Sequence, residues 1–247
     1  MITAYHRPKT LDEALTLLSQ SNRIPLGGGT LLSRPIPDSV EVVDLQSLGL
    51  DTIKKQGNNL EIGATLTLQE LLENEYCPAT VKPALKLEAP LNLRDAATVA
   101  GTVVSCDGRS TFATVMLALD AKLDIRHSAN DARISNFGEF LALRPRGLIT
   151  SIAIPLNVKL AFEYVSRTPG DKPIVCAALS QWNSGRTRLA LGGYGKSPML
   201  AMDGTEAEGL EAAARNAFHE ATDEWASADY RVDVAATLAK RCLENVR

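Results

Sequence analysis

Cysteine is scarce in this 247-residue chain and never clustered. Cys77, Cys106, Cys176 and Cys242 form no C-x-x-C pair, and the three histidines, His6, His127 and His219, are equally dispersed. That spacing supplies the ligands of neither a tetrahedral zinc site nor an iron–sulfur cluster, so no metal ligand is expected. A G-x-S-x-G elbow for a nucleophilic serine is absent. No Lys-Ser or Lys-Thr follows a glycine run, and G-x-G-x-x-G spacing is missing, which removes two familiar phosphate loops. The 26 basic residues are scattered against 29 acidic ones, so the charge footprint of a nucleic-acid-binding surface is missing too. No long uncharged apolar run could span a bilayer, and Met1 to Pro8 lacks a signal-peptide core; a cytoplasmic chain with no membrane span is expected. With no catalytic side chain in evidence, the chemistry is expected to arrive with a cofactor.

What is present is a globular composition, 45% hydrophobic, enough for one large domain or two modest ones. The most informative stretch is Leu26-Gly27-Gly28-Gly29-Thr30, directly after the apolar segment Ile24-Pro25-Leu26. Three adjacent residues without Cβ can take up positive φ and turn successive N–H groups toward one point, a concave donor surface suited to pyrophosphate. The plainer reading is a strand-to-helix turn.

Thr10 to Glu13 is a capping box opening a helix from about Leu11 to Ser21, with Leu11, Ala14, Leu15 and Leu18 on one stripe. Arg23 to Leu26 reads as a buried strand, and Val40 to Val43 as another behind a turn at Pro35-Ile36-Pro37. This small α/β unit places the glycine run at a strand's carboxyl end, where α/β folds bind ligands. Leu60 to Ala64 alternates as a strand, Thr67 to Glu70 is a second capping box, and Val81 to Leu87 is helical with Pro83 in its first turn. Leu93 to Ser105 is rich in small and hydroxylated residues; its backbone could approach a ligand closely, with Thr98, Thr102 and Ser105 offering hydroxyls, or it could be an ordinary tight turn. Phe112 to Leu119 has helical spacing, while Leu123 to Arg126 and Gly147 to Pro155 are strands. Beyond Asn157, Val158 to Ser166, Ile174 to Trp182 and Arg186 to Leu191 read as an antiparallel meander, and helices follow from Thr205 to Phe218 and from the Ser227 cap onward. The expected class is α+β, divided into residues 1–156, with parts at about 1–50 and 51–156, and residues 157–247.

The order of these pieces resembles the FAD-binding subunit of the molybdenum hydroxylases, the family of xanthine dehydrogenase and aerobic carbon monoxide dehydrogenase. The resemblance rests on Tyr5-His6-Arg7-Pro8 with Asp12-Glu13-Ala14-Leu15, on Gly27-Gly28-Gly29-Thr30, on Ile62-Gly63-Ala64-Thr65 and on Arg94-Asp95-Ala96-Ala97-Thr98-Val99-Ala100-Gly101. It continues through Leu117-Ala118-Leu119-Asp120-Ala121, Ile152-Ala153-Ile154-Pro155, Ala190-Leu191-Gly192-Gly193-Tyr194-Gly195 and Ser227-Ala228-Asp229-Tyr230-Arg231. It implies a two-part FAD-binding domain, a small α/β unit plus a mixed sheet with helices, followed by a small antiparallel sheet with C-terminal helices. Both glycine/threonine segments would grip the pyrophosphate: Leu26, Gly27, Gly28, Gly29, Thr30, Leu31 and Leu32 in the first, Thr98, Gly101, Thr102 and Ser105 in the second. Thr111, Ile149 and Tyr164 complete the FAD contacts implied.

The resemblance further implies a partner large subunit with the molybdenum cofactor and a small subunit with [2Fe–2S] clusters, the flavin passing electrons to NAD⁺, a quinone or another acceptor. Asp95, Ala100, Thr102, Thr111 and Tyr164 depart from the family's usual asparagine, glycine, asparagine, aspartate and basic residue. Each charged hydrogen bond not replaced would weaken flavin contacts by roughly 1–3 kcal/mol. Two alternatives follow: a flavin-free accessory partner of such a complex, and a stand-alone FAD oxidoreductase of the wider family that includes the aryl-alcohol oxidases.

Overall fold

The structure, a computed structural model, describes residues 1–33, 38–128 and 130–246, and the turn expected at Pro35-Ile36-Pro37 lies outside them. The chain begins with β1 (Ile2–His6), α1 (Leu11–Leu18), β2 (Arg23–Leu26), β3 (Val40–Asp44), β4 (Ile53–Gln56) and β5 (Asn59–Gly63). Helices α2 (Leu68–Glu73), α3 (Lys82–Glu88), α4 (Leu91–Arg94), α5 (Val99–Ser105) and α6 (Thr111–Ala118) come next, then β6 (Lys122–Ser128), β7 (Asp131–Asn136), α7 (Phe137–Leu143) and β8 (Leu148–Pro155). The last third holds β9 (Val158–Val165), β10 (Val175–Trp182), β11 (Thr187–Gly192), β12 (Met199–Gly204), α8 (Leu210–Ala217) and α9 (Ala228–Val246). None of the described helices is long and apolar enough to cross a membrane.

Contacts gather the chain into two units, neither of them a continuous stretch. The first comprises Met1–Asn74, Leu91–Val104 and Lys122–Ala153; the second comprises Glu75–Pro90, Ser105–Ala121 and Ile154–Arg247.

In the first unit, β3 lies between β1 and β2, parallel to both. Helix α1 starts where Thr10 Oγ1 accepts the Glu13 N–H, but the Glu13 carboxylate accepts from the Lys9 amide, so the expected box forms only on its threonine side. Its stripe buries Ala14 and Leu15 against Val43, Leu45 and Leu148. The box at Thr67 and Glu70 does form in both directions and opens α2. A five-stranded sheet ordered β4-β5-β8-β6-β7 completes the unit.

In the second unit, β9, β10 and β11 form the expected antiparallel meander, turning at Gly185 with φ +90°, and β12 adds a fourth strand that was not expected. Strand alternation sorts β10 between two layers. Val175, Ala177 and Leu179 join a core with Leu210, Phe218, Leu238 and Cys242 of α8, α9 and their connection. On the opposite face Cys176 meets Thr114 of α6 at 3.7 Å, and Arg188 of β11 donates to the Leu117 carbonyl at 3.1 Å. The sheet is thus covered on both faces, and all eight residues of α6 are buried.

Burial leaves a chemical signature on the thiols. Desolvation pushes Cys77 up to about 11 and both Cys176 and Cys242 up to about 12, while Cys106 is partly exposed. Only the thiolate attacks a maleimide. Labelling of the native protein at pH 8, followed by intact mass, is therefore expected to add one label at Cys106, with the other three reacting only in denaturant. Rapid addition of two or more labels to folded protein would contradict this burial.

Candidate functional site

Strand β2 delivers the glycine run. Its last residue, Leu26, pairs with Asp44 of β3, and its carbonyl accepts the Leu45 N–H at 3.0 Å, so the strand's end is fixed when the chain turns at Gly27. Gly29 alone of the three takes a left-handed conformation, φ +72°. The turn closes with Ser33 N–H on the Gly29 carbonyl at 3.0 Å and Ser33 Oγ on the Thr30 carbonyl at 3.2 Å. Among the described residues nothing accepts from the N–H groups of Gly28, Gly29, Thr30 and Leu31. Four consecutive donors without an acceptor among the described residues, beside a strand terminus, suit an anion with several oxygens.

Gly27 and Gly28 are required for a different reason, close approach. A Cβ on Gly27 would lie 2.6 Å from Thr98 Oγ1, and one on Gly28 would lie 1.5 Å from the Ala96 carbonyl oxygen. The two segments singled out in the sequence therefore touch, backbone against backbone.

The second segment is not a loop, contrary to expectation, but the start of α5. Thr98 caps that helix, its Oγ1 accepting the Gly101 N–H at 3.2 Å. The Val99 amide donates to the Leu66 carbonyl at 2.8 Å and the Ala100 amide to the Ala64 carbonyl at 3.1 Å, while Thr102 gives both its amide and its hydroxyl to the Thr98 carbonyl. These amides are spent inside the protein. What the segment offers is a wall: Thr98 is buried, Gly101 and Ser105 are exposed, and the free donors come from the first loop.

Thr111, expected to meet ribityl or ribose hydroxyls, has no exposed surface. Its hydroxyl donates to the Ala84 carbonyl at 2.7 Å and lies 3.3 Å from Glu88 Oε2, which corrects its role to an internal one. Ile149 is likewise 4% exposed and paired with Ile125, a core residue rather than a lining one. Tyr164 is 39% exposed on β9 and stacks on Phe162 with ring centres 5.9 Å apart. It lines a cleft of about 460 Å³ together with Lys82, Pro83, Lys86, Leu87 and Pro169.

Several residues that organise these surfaces were given no site role beforehand. Glu88, though 8% exposed, ends α3 with its carboxylate at the first turn of α6, accepting from Ser110 Oγ at 2.8 Å and the Phe112 amide at 2.9 Å, with Lys172 Nζ 3.4 Å away. Gly108 and the Gly192-Gly193-Tyr194-Gly195 turn clamp one another: Gly108 N–H reaches the Gly195 carbonyl at 3.0 Å and Gly193 N–H the Gly108 carbonyl at 2.6 Å. Asp44, 2% exposed at the end of β3, accepts from the Gln46 amide at 2.9 Å and from the Tyr5 hydroxyl. The bond to Asp44 raises the Tyr5 phenol above its ordinary value. Turn signals at Asp107-Gly108 could have marked the clamp; a lone carboxylate such as Glu88 carries no such signal.

Comparison with known proteins places these features in context. Residues 1–157 match the family described as "FAD binding domain in molybdopterin dehydrogenase". The chain is 27% identical to "Uncharacterized protein YgfM" of Escherichia coli (strain K12), covering 96% of this chain and 94% of that one. It is 24% identical to the "Carbon monoxide dehydrogenase medium chain" of Afipia carboxidovorans, covering 98% and 96%. The solved structure "Reconstituted CO dehydrogenase from Oligotropha carboxidovorans" aligns with a TM-score of 0.83 and 26% identity over 100% of this chain and 98% of that chain.

Proposed function

Because the chain belongs to the family of FAD-binding domains of molybdopterin dehydrogenases, we propose that it is the FAD-binding electron-transfer subunit of a multi-subunit molybdenum hydroxylase. One observation carries the proposal beyond family membership: four N–H groups from Gly28 to Leu31 that find no acceptor among the described residues, on a loop packed against Ala96 and Thr98 by two glycines with no room for a Cβ. A pyrophosphate needs several converging donors, and backbone amides supply them without a lysine. The residues present fit the group on this count.

In this reading Leu26 to Leu32 hold the pyrophosphate, and Thr98, Gly101, Thr102 and Ser105 form the wall behind it. Tyr164 offers a ring face for stacking, while Glu88 and Thr111 fix the start of α6 rather than touching the cofactor. Bound FAD supplies the redox chemistry, and the protein's task is to orient it and exclude competing reactions. The name "medium chain" carried by a relative supports partner chains here, a large subunit with the molybdenum cofactor and a small subunit with [2Fe–2S] clusters. Electrons would come from those clusters and leave to NAD⁺ or a quinone, in the cytoplasm. The family match, ending at residue 157, supports a FAD-binding portion of residues 1–156 followed by residues 157–247.

The test is the visible spectrum of gently purified protein, with the released small molecule identified by mass. The two-band spectrum of oxidised flavin with FAD released on denaturation is the expected result. Colourless protein that takes up no added FAD would overturn it; the inward-facing Thr111 and the spent amides of α5 would then favour a flavin-free accessory role.

A further inference from the structure

The first unit carries a second polar cleft that shares no residue with the glycine loop. It measures about 500 Å³ and lies between the carboxyl end of α1 and strands β2, β6 and β8. Arg23, Arg126, His127 and Arg146 line it beside Ser19 and Ser21, and no acidic residue does, although the whole chain has a net charge of −3.

The cations are held in place. Arg23 Nε sits 2.6 Å from a Glu41 carboxylate oxygen that His6 also approaches, at 2.8 Å, and Arg126 Nη2 sits 3.2 Å from Asp124. Each carboxylate engages one edge of its guanidinium, and among the described residues nothing accepts from the Arg23 Nη groups or from Arg126 Nη1. Arg146 is exposed and has no ion-pair partner among the described residues. Its position follows from Gly147, whose φ is +145°. A Cβ there would come within 2.6 Å of Ile125 Cγ2 and 3.2 Å of the His127 ring, so only glycine lets the Arg146 turn lie this close to β6. The carboxyl end of α1 opposes an anion only weakly, since helix-end fields fade within a turn and three guanidiniums face it.

We propose that this cleft binds a small, non-aromatic phosphate-bearing anion. Guanidinium forks match phosphate oxygens in pairs, and serine hydroxyls can complete the shell. The lining has no Phe, Tyr or Trp, and its one ring, His127, stands among three guanidiniums, so charge outweighs stacking surface; this directs the site to a sugar phosphate or an inorganic polyphosphate rather than a nucleotide. The site is independent of the flavin reading.

Calorimetric titration with inorganic pyrophosphate, at low salt and with excess FAD present, tests it. Saturable binding that Arg146→Ala weakens about tenfold or more, and that Lys82→Ala in the other cleft leaves unchanged, is expected. Arg146 is exposed, so its truncation leaves the fold intact. Absence of saturable binding, equal binding to Arg146→Ala, or equal weakening by Lys82→Ala would each overturn the proposal. A sugar bisphosphate that binds more tightly than pyrophosphate, with the same dependence on Arg146, would identify the first of the two sources.

Discussion

Gly28→Val should purify without flavin and melt below the wild type. A valine Cβ would sit 1.5 Å from the Ala96 carbonyl oxygen, a backbone atom that no side-chain rotation can move away. The loop must therefore shift by more than an ångström or the start of α5 must give way. Overpacking of this kind costs about 1–3 kcal/mol. The larger effect falls on the cofactor, because the amides of Gly28 to Leu31 move with the loop. Losing two charge-assisted hydrogen bonds, at about 1.5–3 kcal/mol each, lowers affinity roughly 100-fold or more. Gly27→Ala should be milder, since its obstacle is the Thr98 side chain, whose Oγ1 would be 2.6 Å away. Flavin content and FAD affinity read the outcome; wild-type retention of FAD by Gly28→Val would remove the loop from the binding site.

Arg231→Met should be the most destabilising substitution in the second unit. The Arg231 guanidinium is fully buried and donates to the carbonyls of Ala221 at 2.7 Å, Ala226 at 3.1 Å, and Ile174 and Gly193 at 3.4 Å, as well as to Asp223 Oδ1 at 2.8 Å. Methionine keeps the stem but removes the guanidinium from the Ile174, Gly193 and Ala221 carbonyls, while Asp223 and the Ala226 carbonyl keep only backbone donors. Removing one partner of a buried charge pair costs about 3–5 kcal/mol. At roughly 2–4 °C per kcal/mol for a chain of this size, thermal denaturation should show a drop of about 10 °C; a loss under about 3 °C would refute the assignment. Burial pushes the Asp223 carboxyl up, but Arg231 and the amides of Trp225 and Ala226 more than offset it, holding the group below the usual carboxylate range. A depressed carboxylate stabilises the fold above its unfolded pKa, and that contribution fades as the pH falls toward the folded value. The stability gap between wild type and Asp223→Asn should accordingly be open at neutral pH and narrow below about pH 4.

The legible parts of the fold were those where local chemistry and burial agree. The Thr67–Glu70 box and the alternating β10 stand where their patterns placed them, whereas Arg23 to Leu26 is the expected strand but lies at a sheet edge with no residue fully buried, not the buried strand expected. Strands β1, β4, β7 and β12 gave no pattern because each is a sheet edge with most of its side chains exposed or half-buried, so neither face demands hydrophobic alternation. Helix α5 was hidden because Val99-Ala100-Gly101-Thr102-Val103 has weak helix propensity, overridden by the Thr98 cap and by burial of Val99, Thr102 and Val103. At the candidate site, the glycine run was visible and its contact with the second segment was not, since that contact joins residues some seventy positions apart. The burial of Glu88 and of Arg231, the latter noted only within the Ser227 to Arg231 motif, was not foreseen for a simpler reason: charged residues are read as surface, and both are enclosed.

The covering of β10 on both faces bears on how the protein is made. During synthesis α6 leaves the ribosome well before β10 and β11, yet all eight of its residues are destined for their interior. The face it turns to β10 and β11 must wait, unshielded, until the meander is complete, and the meander in turn waits for Arg231 of α9. A fragment cut at residue 156 would keep α6 and lose its cover. The second unit is thus a late-folding assembly whose early pieces depend on α9, translated more than a hundred residues after α6, and nascent chains stalled before α9 are natural clients for a chaperone.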